Sequence, residues 1–130
     1  MKIDGQCHCG RIRFEAEVDP TEVYVCHCTD CQAISGGAYR WAASVPAKDF
    51  TLLSGTPKVY AKTAENHQHF CGDCASPLYG SSPTNGHSML RLRLGTVRQR
   101  DRLPPRAELW CRSAQPWAEV AGGTERLDQQ

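Results

Sequence analysis

The stretch RIRFEAEV (residues 11–18) alternates strictly between two kinds of side chain. Ile12, Phe14, Ala16 and Val18 are apolar, and the residues between them are arginine or glutamate. Because successive side chains of a strand point to opposite faces of a sheet, this period of two predicts a strand with one buried side. An amphipathic helix would instead need a period of about 3.6 residues.

The same strand-like pattern continues along the chain. YRWAASV (39–45) and LRLRL (90–94) alternate as well, and shorter strand candidates lie at 22–25, 50–53, 58–61, 67–70, 77–80 and 107–112. Turn residues such as Asp19-Pro20 and Pro104-Pro105 separate these segments. Many short strands at close spacing predict an antiparallel all-β fold, with one short helix at TDCQAIS (29–35).

The length and charge of the chain restrict its class further. The chain has 130 residues, which fits a single small domain over 1–130 without an internal linker, and 122–130 is expected to be a flexible tail. Lysine and arginine total 15 against 14 aspartate and glutamate, so no bulk field favours nucleic acid or a membrane. The N-terminal stretch has no apolar signal core, so we expect a cytoplasmic protein in a reducing compartment.

In such a compartment the eight cysteines are not expected to form disulfides, but to be metal ligands or reactive thiols. Seven of them sit in tight clusters, and the eighth, Cys111, stands alone. Disulfides do not suit this arrangement, because the two cysteines of a CxC pair cannot bridge each other without strain. We therefore expect the clustered cysteines to bind a metal, and the softness of thiolate ligands favours zinc.

The spacing of the clusters suggests two zinc sites per chain. If Cys26, Cys28 and Cys31 hold one metal among themselves, the other clustered cysteines form a closed four-thiolate site, the structural class of zinc: Cys7, Cys9, Cys71 and Cys74. Such a site would staple the N-terminal strand to the middle of the chain.

The Cys26, Cys28 and Cys31 triad would then have one coordination position left open. Three protein ligands and an open position are typical of a catalytic zinc. The alternative is a second closed site, completed by Cys111 or by a histidine. His27 lies between two of the cysteines, so its side chain is expected to point away from the metal, although it could line the mouth of the site and move protons.

The segment RLRLGTVRQRDRLPPR (91–106) carries six arginines. The interpretation that we favour is the solvated face of a strand followed by a loop. The alternative is a rim that contacts anions, either a carboxylate ligand or nucleic acid. The run has no interleaved aromatic residues, which makes nucleic-acid binding unlikely.

Four stretches together resemble one known family: GQCHCGRIRF (5–14), CHCTDCQAISGGAY (26–39), FCGDCASPLYG (70–80) and PPRAELWCRSAQPW (104–117). Over roughly residues 5–120 the chain resembles the glutathione-dependent formaldehyde-activating enzymes, to which the centromere protein V domain is related. The resemblance implies a β-tent fold of antiparallel sheets, a structural zinc on Cys7, Cys9, Cys71 and Cys74, and a more labile zinc on Cys26, Cys28 and Cys31.

The activity that the resemblance implies is that of a carbon–sulfur lyase, which forms S-hydroxymethylglutathione reversibly from glutathione and formaldehyde. A small thiol such as glutathione is then the expected partner, and His27 or Asp30 could shuttle the proton. Three residues depart from the family pattern: Ala75 replaces a usual glycine, Gln32 a commonly basic residue and Glu108 a frequent histidine. We expect the last two to alter the anion preference of the pocket.

A second hypothesis belongs to a different functional class. The chain could be a non-catalytic zinc-stapled β domain that binds protein or nucleic acid, as the centromere protein relative suggests. The arginine run and the lack of a clear general acid or base favour this alternative. The open three-cysteine site favours the enzyme. The sequence predicts no oligomeric state.

Overall fold

The alternating stretch that opens the sequence forms strand β2 (Arg13–Glu17), in which Phe14 and Ala16 are buried and the charged residues between them are exposed. The computed structural model describes residues 1–120 and 122–130. Strand β2 pairs antiparallel with β1 (Lys2–Gln6) on one side and with β5 (Phe50–Ser54) on the other. These three strands form the smaller of two sheets.

The larger sheet has eight strands among the described residues, in the spatial order β11-β10-β3-β4-β9-β8-β7-β6. Its strands are β3 (Val23–Cys26), β4 (Arg40–Pro46), β6 (Lys58–Thr63), β7 (Asn66–Phe70), β8 (Pro77–Ser81), β9 (Met89–Arg93), β10 (Ala107–Leu109) and β11 (Glu125–Arg126). The all-β class predicted from the sequence is confirmed. Two pairings are parallel rather than antiparallel, because β10 runs in the same direction as both of its neighbours, β3 and β11.

Helix α1 (Thr29–Ser35) has the bounds that the sequence predicts. Cys28 is its N-cap residue, and the Cys28 Sγ accepts a hydrogen bond from the backbone N–H of Cys31. The helix ends at Gly36, whose left-handed conformation is usual at a helix C-terminus. No helix in the described part of the chain is long and apolar enough to cross a membrane.

The hydrophobic core lies between the two sheets. Ile3, Phe14 and Val18 from the smaller sheet region belong to one buried cluster with Val45 and Leu92 of the larger sheet. The apolar residues of β4 that face this core have odd numbers, so its even-numbered residues face the other side of the larger sheet.

The sequence does not predict β1, since Asp4 and Gly5 both disfavour strands. The strand forms because the backbones pack closely at Gly5. A Cβ atom on Gly5 would lie 2.3 Å from the carbonyl oxygen of Thr96 and 2.5 Å from Cζ of Phe14. Gly5 also bridges to Val97, which ties β1 to the segment that follows β9.

Residues 122–130, expected to be a flexible tail, make backbone pairings with the rest of the chain. Strand β11 pairs with β10, and backbone hydrogen bonds join Leu127 to Glu108 and Cys111, and Gln129 to Trp110. The polar composition of the segment suggested a free end, but β10 would otherwise leave its outer backbone groups unpaired.

Candidate functional site

Four of the clustered cysteines come together where β1 ends. The Sγ atoms of Cys7, Cys9, Cys71 and Cys74 all lie within 4.8 Å of one another, although Cys9 and Cys71 are 62 positions apart. The N-terminal pair is presented by a tight turn, in which the backbone N–H of Ile12 donates to Cys7 Sγ at 3.3 Å. Four thiols this close together could hold a metal ion, and they are the donor set that structural zinc prefers.

The second half of this cluster is the turn CGDC (71–74). The backbone N–H of Asp73 donates to Cys71 Sγ at 3.4 Å, and that of Ala75 donates to the Cys71 carbonyl oxygen at 2.8 Å. Ala75 has a φ of 67°, in the left-handed region that favours glycine. The turn accommodates the Cβ of Ala75 at the cost of backbone strain.

The other three clustered cysteines meet at the junction of β3 and α1. Cys26 is the last residue of β3, Cys28 caps the helix and Cys31 lies in its first turn, and their Sγ atoms lie within 4.8 Å of one another. A hydrogen bond from Cys31 lowers the pKa of Cys26 to about 5 against the opposing effect of burial, and the charge of Arg40 helps. The same interaction raises the pKa of Cys31.

The described residues add no fourth histidine, cysteine or carboxylate to this triad. Cys111, the proposed fourth ligand of a closed site, instead lies within 4.8 Å of His27 and Glu108 in a separate group. The carboxylate in that group already accepts a hydrogen bond from Thr124 and lies near the Arg126 guanidinium. The cation of Arg126 opposes the binding of a metal ion there.

His27 does not line the mouth of the site, which corrects the role considered for it. Its side chain is fully buried at 0% exposure, and its Nε2 lies 3.0 Å from Oε1 of Glu108. Cys26 and Cys28 turn one way and the residue between them turns the other, as the alternation of an extended CxC requires. His27 can therefore fix the position of the cysteines but cannot reach a ligand in the pocket.

Gln32 and Glu108 also lie away from the pocket, so the expectation that they tune its anion preference is wrong. The Gln32 side chain donates to the carbonyl oxygens of His27 and Ser113, and it accepts from Gln115. These hydrogen bonds join α1 to the segment that follows β10. Hydrogen bonds from Thr124 and His27 outweigh the effect of burial and lower the pKa of Glu108.

A cavity of about 530 Å³ opens beside the triad, a size typical of small-molecule sites. Most of the residues that line it are polar or charged: besides the three cysteines they include Asp30, Arg40, Lys62, Glu65, Asn66, Gln68, Arg91 and Arg93. At the rim, Lys62 Nζ donates to Asp30 Oδ1 at 2.6 Å.

The pairing register explains how these residues meet. Residues directly opposite each other on antiparallel strands share a face of the sheet. Arg40 stands opposite Cys26, and Ala42, two residues along the same strand, stands opposite Arg93. The face of the larger sheet that points away from the core is therefore lined by polar side chains. The alternation of YRWAASV already puts Arg40 on the face opposite Trp41, and this was the signal for its role that the sequence contained.

The arginine run is not a uniformly solvated face, which corrects the interpretation favoured from the sequence. Arg93 is 5% exposed and Arg91 is half-buried, and both line the cavity, whereas Arg98, Arg100 and Arg102 are exposed. Burial, with the nearby charge of Arg40, lowers the pKa of Arg93 to about 9. The alternation of LRLRL suggested that these arginines face solvent. Instead, Arg91 and Arg93 line the wall of a cavity that residues of β7 and α1 also border.

Comparisons with known proteins agree with the resemblance. A protein of Halomonas elongata, named as belonging to the glutathione-dependent formaldehyde-activating enzymes, is 26% identical over 129 residues, which cover 92% of this chain and 82% of that protein. A crystal structure of a Rhodobacter sphaeroides protein matches with a TM-score of 0.62 at 18% identity, covering 73% of this chain and 87% of the other. This second match supports the fold.

The family model described as glutathione-dependent formaldehyde-activating enzyme matches residues 2–113 of this sequence. The match includes all eight cysteines and both of the clusters described above. The chain belongs to the glutathione-dependent formaldehyde-activating enzyme family.

Proposed function

We propose that the protein is a zinc-dependent carbon–sulfur lyase that joins a small thiol, such as glutathione, to an aldehyde, such as formaldehyde, and releases it again. The observation that carries the proposal is the position of the Cys26, Cys28 and Cys31 triad. Three thiols face a cavity of about 530 Å³, and the described residues offer no fourth side-chain ligand. Three protein ligands beside an accessible cavity are typical of catalytic zinc.

The donor sets fit two zinc ions with different roles. Cys7, Cys9, Cys71 and Cys74 would hold a structural zinc that joins the start of the chain to the β7–β8 turn. Cys26, Cys28 and Cys31 would hold the second. Thiolate ligands persist in a reducing compartment, which supports a cytoplasmic location.

When it is bound at the triad, zinc supplies a position for the sulfur of the ligand and lowers the pKa of its thiol. The chain contributes the rest of the site. The cavity walls hold the thiol and the aldehyde close together, which lowers the barrier to addition. The Lys62 ammonium, held at the rim by Asp30, is placed to donate a hydrogen bond to the aldehyde oxygen.

The reaction balances without any further reactant. The sulfur of the thiol forms a bond to the carbonyl carbon, the carbonyl π bond breaks, and the thiol proton ends on the new hydroxyl oxygen. The reverse reaction releases the aldehyde. His27 takes no direct part because it is fully buried on the other side of the strand.

The alternative of a binding module depended largely on a continuous arginine surface. Two of the six arginines in 91–106 line the cavity, and Arg98 is paired with Asp4. The remaining exposed arginines are too few to favour this alternative over the enzyme.

The test measures how fast the hydroxymethyl adduct of glutathione exchanges with free formaldehyde. Carbon-13 exchange spectroscopy on zinc-loaded protein should show faster exchange than in buffer alone. Cys28→Ser should return the rate to the buffer value, because a serine still caps α1 but is a poor zinc ligand. Cys111→Ser is the matched control and should keep the wild-type rate. A wild-type rate equal to that of buffer would overturn the proposal.

A further inference from the structure

The cavity beside the triad contains two buried arginines without a carboxylate partner. Arg40 is 9% exposed and Arg93 is 5% exposed, and neither makes a salt bridge within the described part of the chain. Among the described residues, the Nε of Arg40 and the Nη1 of Arg93 have no hydrogen-bond partner. Buried charges are normally paired, because taking a lone cation out of water is costly.

Neutral groups hold both guanidinium groups in place. Arg93 Nη2 donates to Gln68 Oε1, and the amide of Gln68 donates in turn to Asn66 Oδ1. The Asn66 oxygen also accepts from Arg91 Nη2, at 3.1 Å. Arg40 Nη2 lies 3.5 Å from the Tyr24 hydroxyl. These contacts orient the two cations but leave their charge without a counterion.

Arg91 reaches this network only because residue 80 has no side chain. A Cβ on Gly80 would lie 2.9 Å from Arg91 Nη2 and 3.0 Å from its Nε. The guanidinium of Arg91 therefore lies flat across β8 on its way to Asn66. This polar network therefore extends from β9 to β7 along the wall of the cavity.

The thiolates of the triad balance only part of this charge. Three thiolates with one divalent ion carry a single net negative charge, which can offset one arginine. Asp30 is already paired with Lys62 at the rim. Arg91 and Glu65 also line the cavity, and their opposite charges cancel. Before a ligand binds, the wall beside the triad therefore carries a net positive charge, which favours an anionic ligand over a neutral or a cationic one.

Resting on the proposed function, we propose that Arg40 and Arg93 select thiols that carry a carboxylate. The carboxylate of the ligand would accept hydrogen bonds from these guanidinium groups while its sulfur lies at the triad. The planar guanidinium group of arginine suits a carboxylate, because two of its parallel N–H groups can each donate a hydrogen bond to one of the two oxygens. The substrate class is therefore an anionic thiol, and neutral or cationic thiols are poor ligands.

The test uses three small thiols of similar size and different charge: mercaptoacetate, mercaptoethanol and cysteamine. Isothermal titration calorimetry on zinc-loaded protein should show mercaptoacetate binding about 10-fold more tightly than mercaptoethanol, the effect of one charge-assisted hydrogen bond. Cysteamine should bind most weakly. Equal affinities for mercaptoacetate and mercaptoethanol would overturn the inference and leave the proposed function standing. If none of the three thiols binds, both fail.

Variants then assign the preference to residues. In Arg93→Gln and Arg40→Gln, the advantage of mercaptoacetate over mercaptoethanol should fall to less than about 3-fold. Arg102→Gln, in the exposed part of the same run, is the matched control and should keep the full preference. If a glutamine variant does not fold, Arg93→Lys takes its place. Lysine retains the charge but lacks the paired N–H donors of arginine, so this variant should lower the preference for mercaptoacetate partially. An undiminished preference in folded variants would contradict the assignment.

Discussion

His27 Nε2 lies 3.0 Å from Glu108 Oε1, and this buried contact joins the cysteine triad to the C-terminal part of the chain. His27 stands between Cys26 and Cys28, so fixing its ring fixes the strand that carries both thiols. The other carboxylate oxygen of Glu108 accepts from Thr124, at 2.7 Å. Residues 122–130, which the sequence predicts to be a flexible tail, therefore help to hold the triad in position through the contact of Thr124 with Glu108.

Replacing Glu108 tests this support. Glu108→Ala should lower the free energy of unfolding by about 1–3 kcal/mol, because it leaves the buried His27 ring and the half-buried Thr124 hydroxyl without an acceptor. It should also reduce zinc retention at the triad. Glu108→Gln keeps one acceptor oxygen and should cost less. Urea unfolding of the zinc-loaded proteins measures the difference, and an Ala variant as stable as wild type would show that the contact contributes nothing.

A substitution at Gly5 tests the close packing of β1. Gly5→Ala should lower the free energy of unfolding by about 1–3 kcal/mol, since the new Cβ would overlap the Thr96 carbonyl oxygen and the Phe14 ring. Gly95→Ala is the matched control, because nothing lies within 4 Å of its Cβ position. Thermal unfolding of both variants gives the comparison. Equal effects at the two glycines would contradict the packing described for β1.

Ala75 offers a change that should stabilise the protein. Its φ of 67° strains any residue with a side chain, so Ala75→Gly should raise the free energy of unfolding by up to about 1 kcal/mol. Ala61→Gly, on the exposed strand β6, should have the opposite effect because glycine weakens a regular strand. Urea unfolding with zinc present distinguishes the two. A loss of stability in Ala75→Gly would argue against the left-handed turn.

The Asp4 carboxylate predicts a specific pH dependence. Hydrogen bonds from Arg98, then from Gln99, lower the pKa of Asp4 from 3.8 to about 2. Because this pKa is lower in the folded chain, the stabilisation is fully present well above pH 3.8 and is lost as the pH falls towards 2. Asp4→Asn removes it.

The measurement compares wild type with Asp4→Asn by urea unfolding at about pH 7, 5 and 3. The difference in unfolding free energy should be constant between the two higher values and smaller at the lowest. A difference that grows as the pH falls would have the wrong sign.

Local pattern in the sequence predicts much of this fold. The bounds of α1 follow from TDCQAIS, and most strands begin or end within two residues of a predicted strand segment. β1 could not be predicted, because its pairing with β2 and its bridge to Val97 outweigh its poor strand propensity. The parallel pairing of β10 depends on long-range contacts that have no local signal.

The candidate site, too, could be predicted from the sequence only in part. The two cysteine groupings follow from spacing alone, and the structure brings the same residues together. The burial of Arg40 and Arg93 does not follow from spacing, since it depends on the register of β3, β4 and β9. The roles of Gln32 and Glu108 were misjudged because nothing in the sequence shows which side of α1 and β10 faces the cavity.

The two cysteine clusters should differ in their effect on folding, because we propose that the four-cysteine site is closed and needed for folding, whereas the three-cysteine site is open and is not. The most direct test measures zinc per chain in Cys28→Ser by atomic emission, with circular dichroism as the check on folding. We expect one zinc in the folded Cys28→Ser variant against two in wild type, whereas Cys71→Ser should be unfolded. Two zinc ions retained in Cys28→Ser, or a folded Cys71→Ser protein, would contradict it.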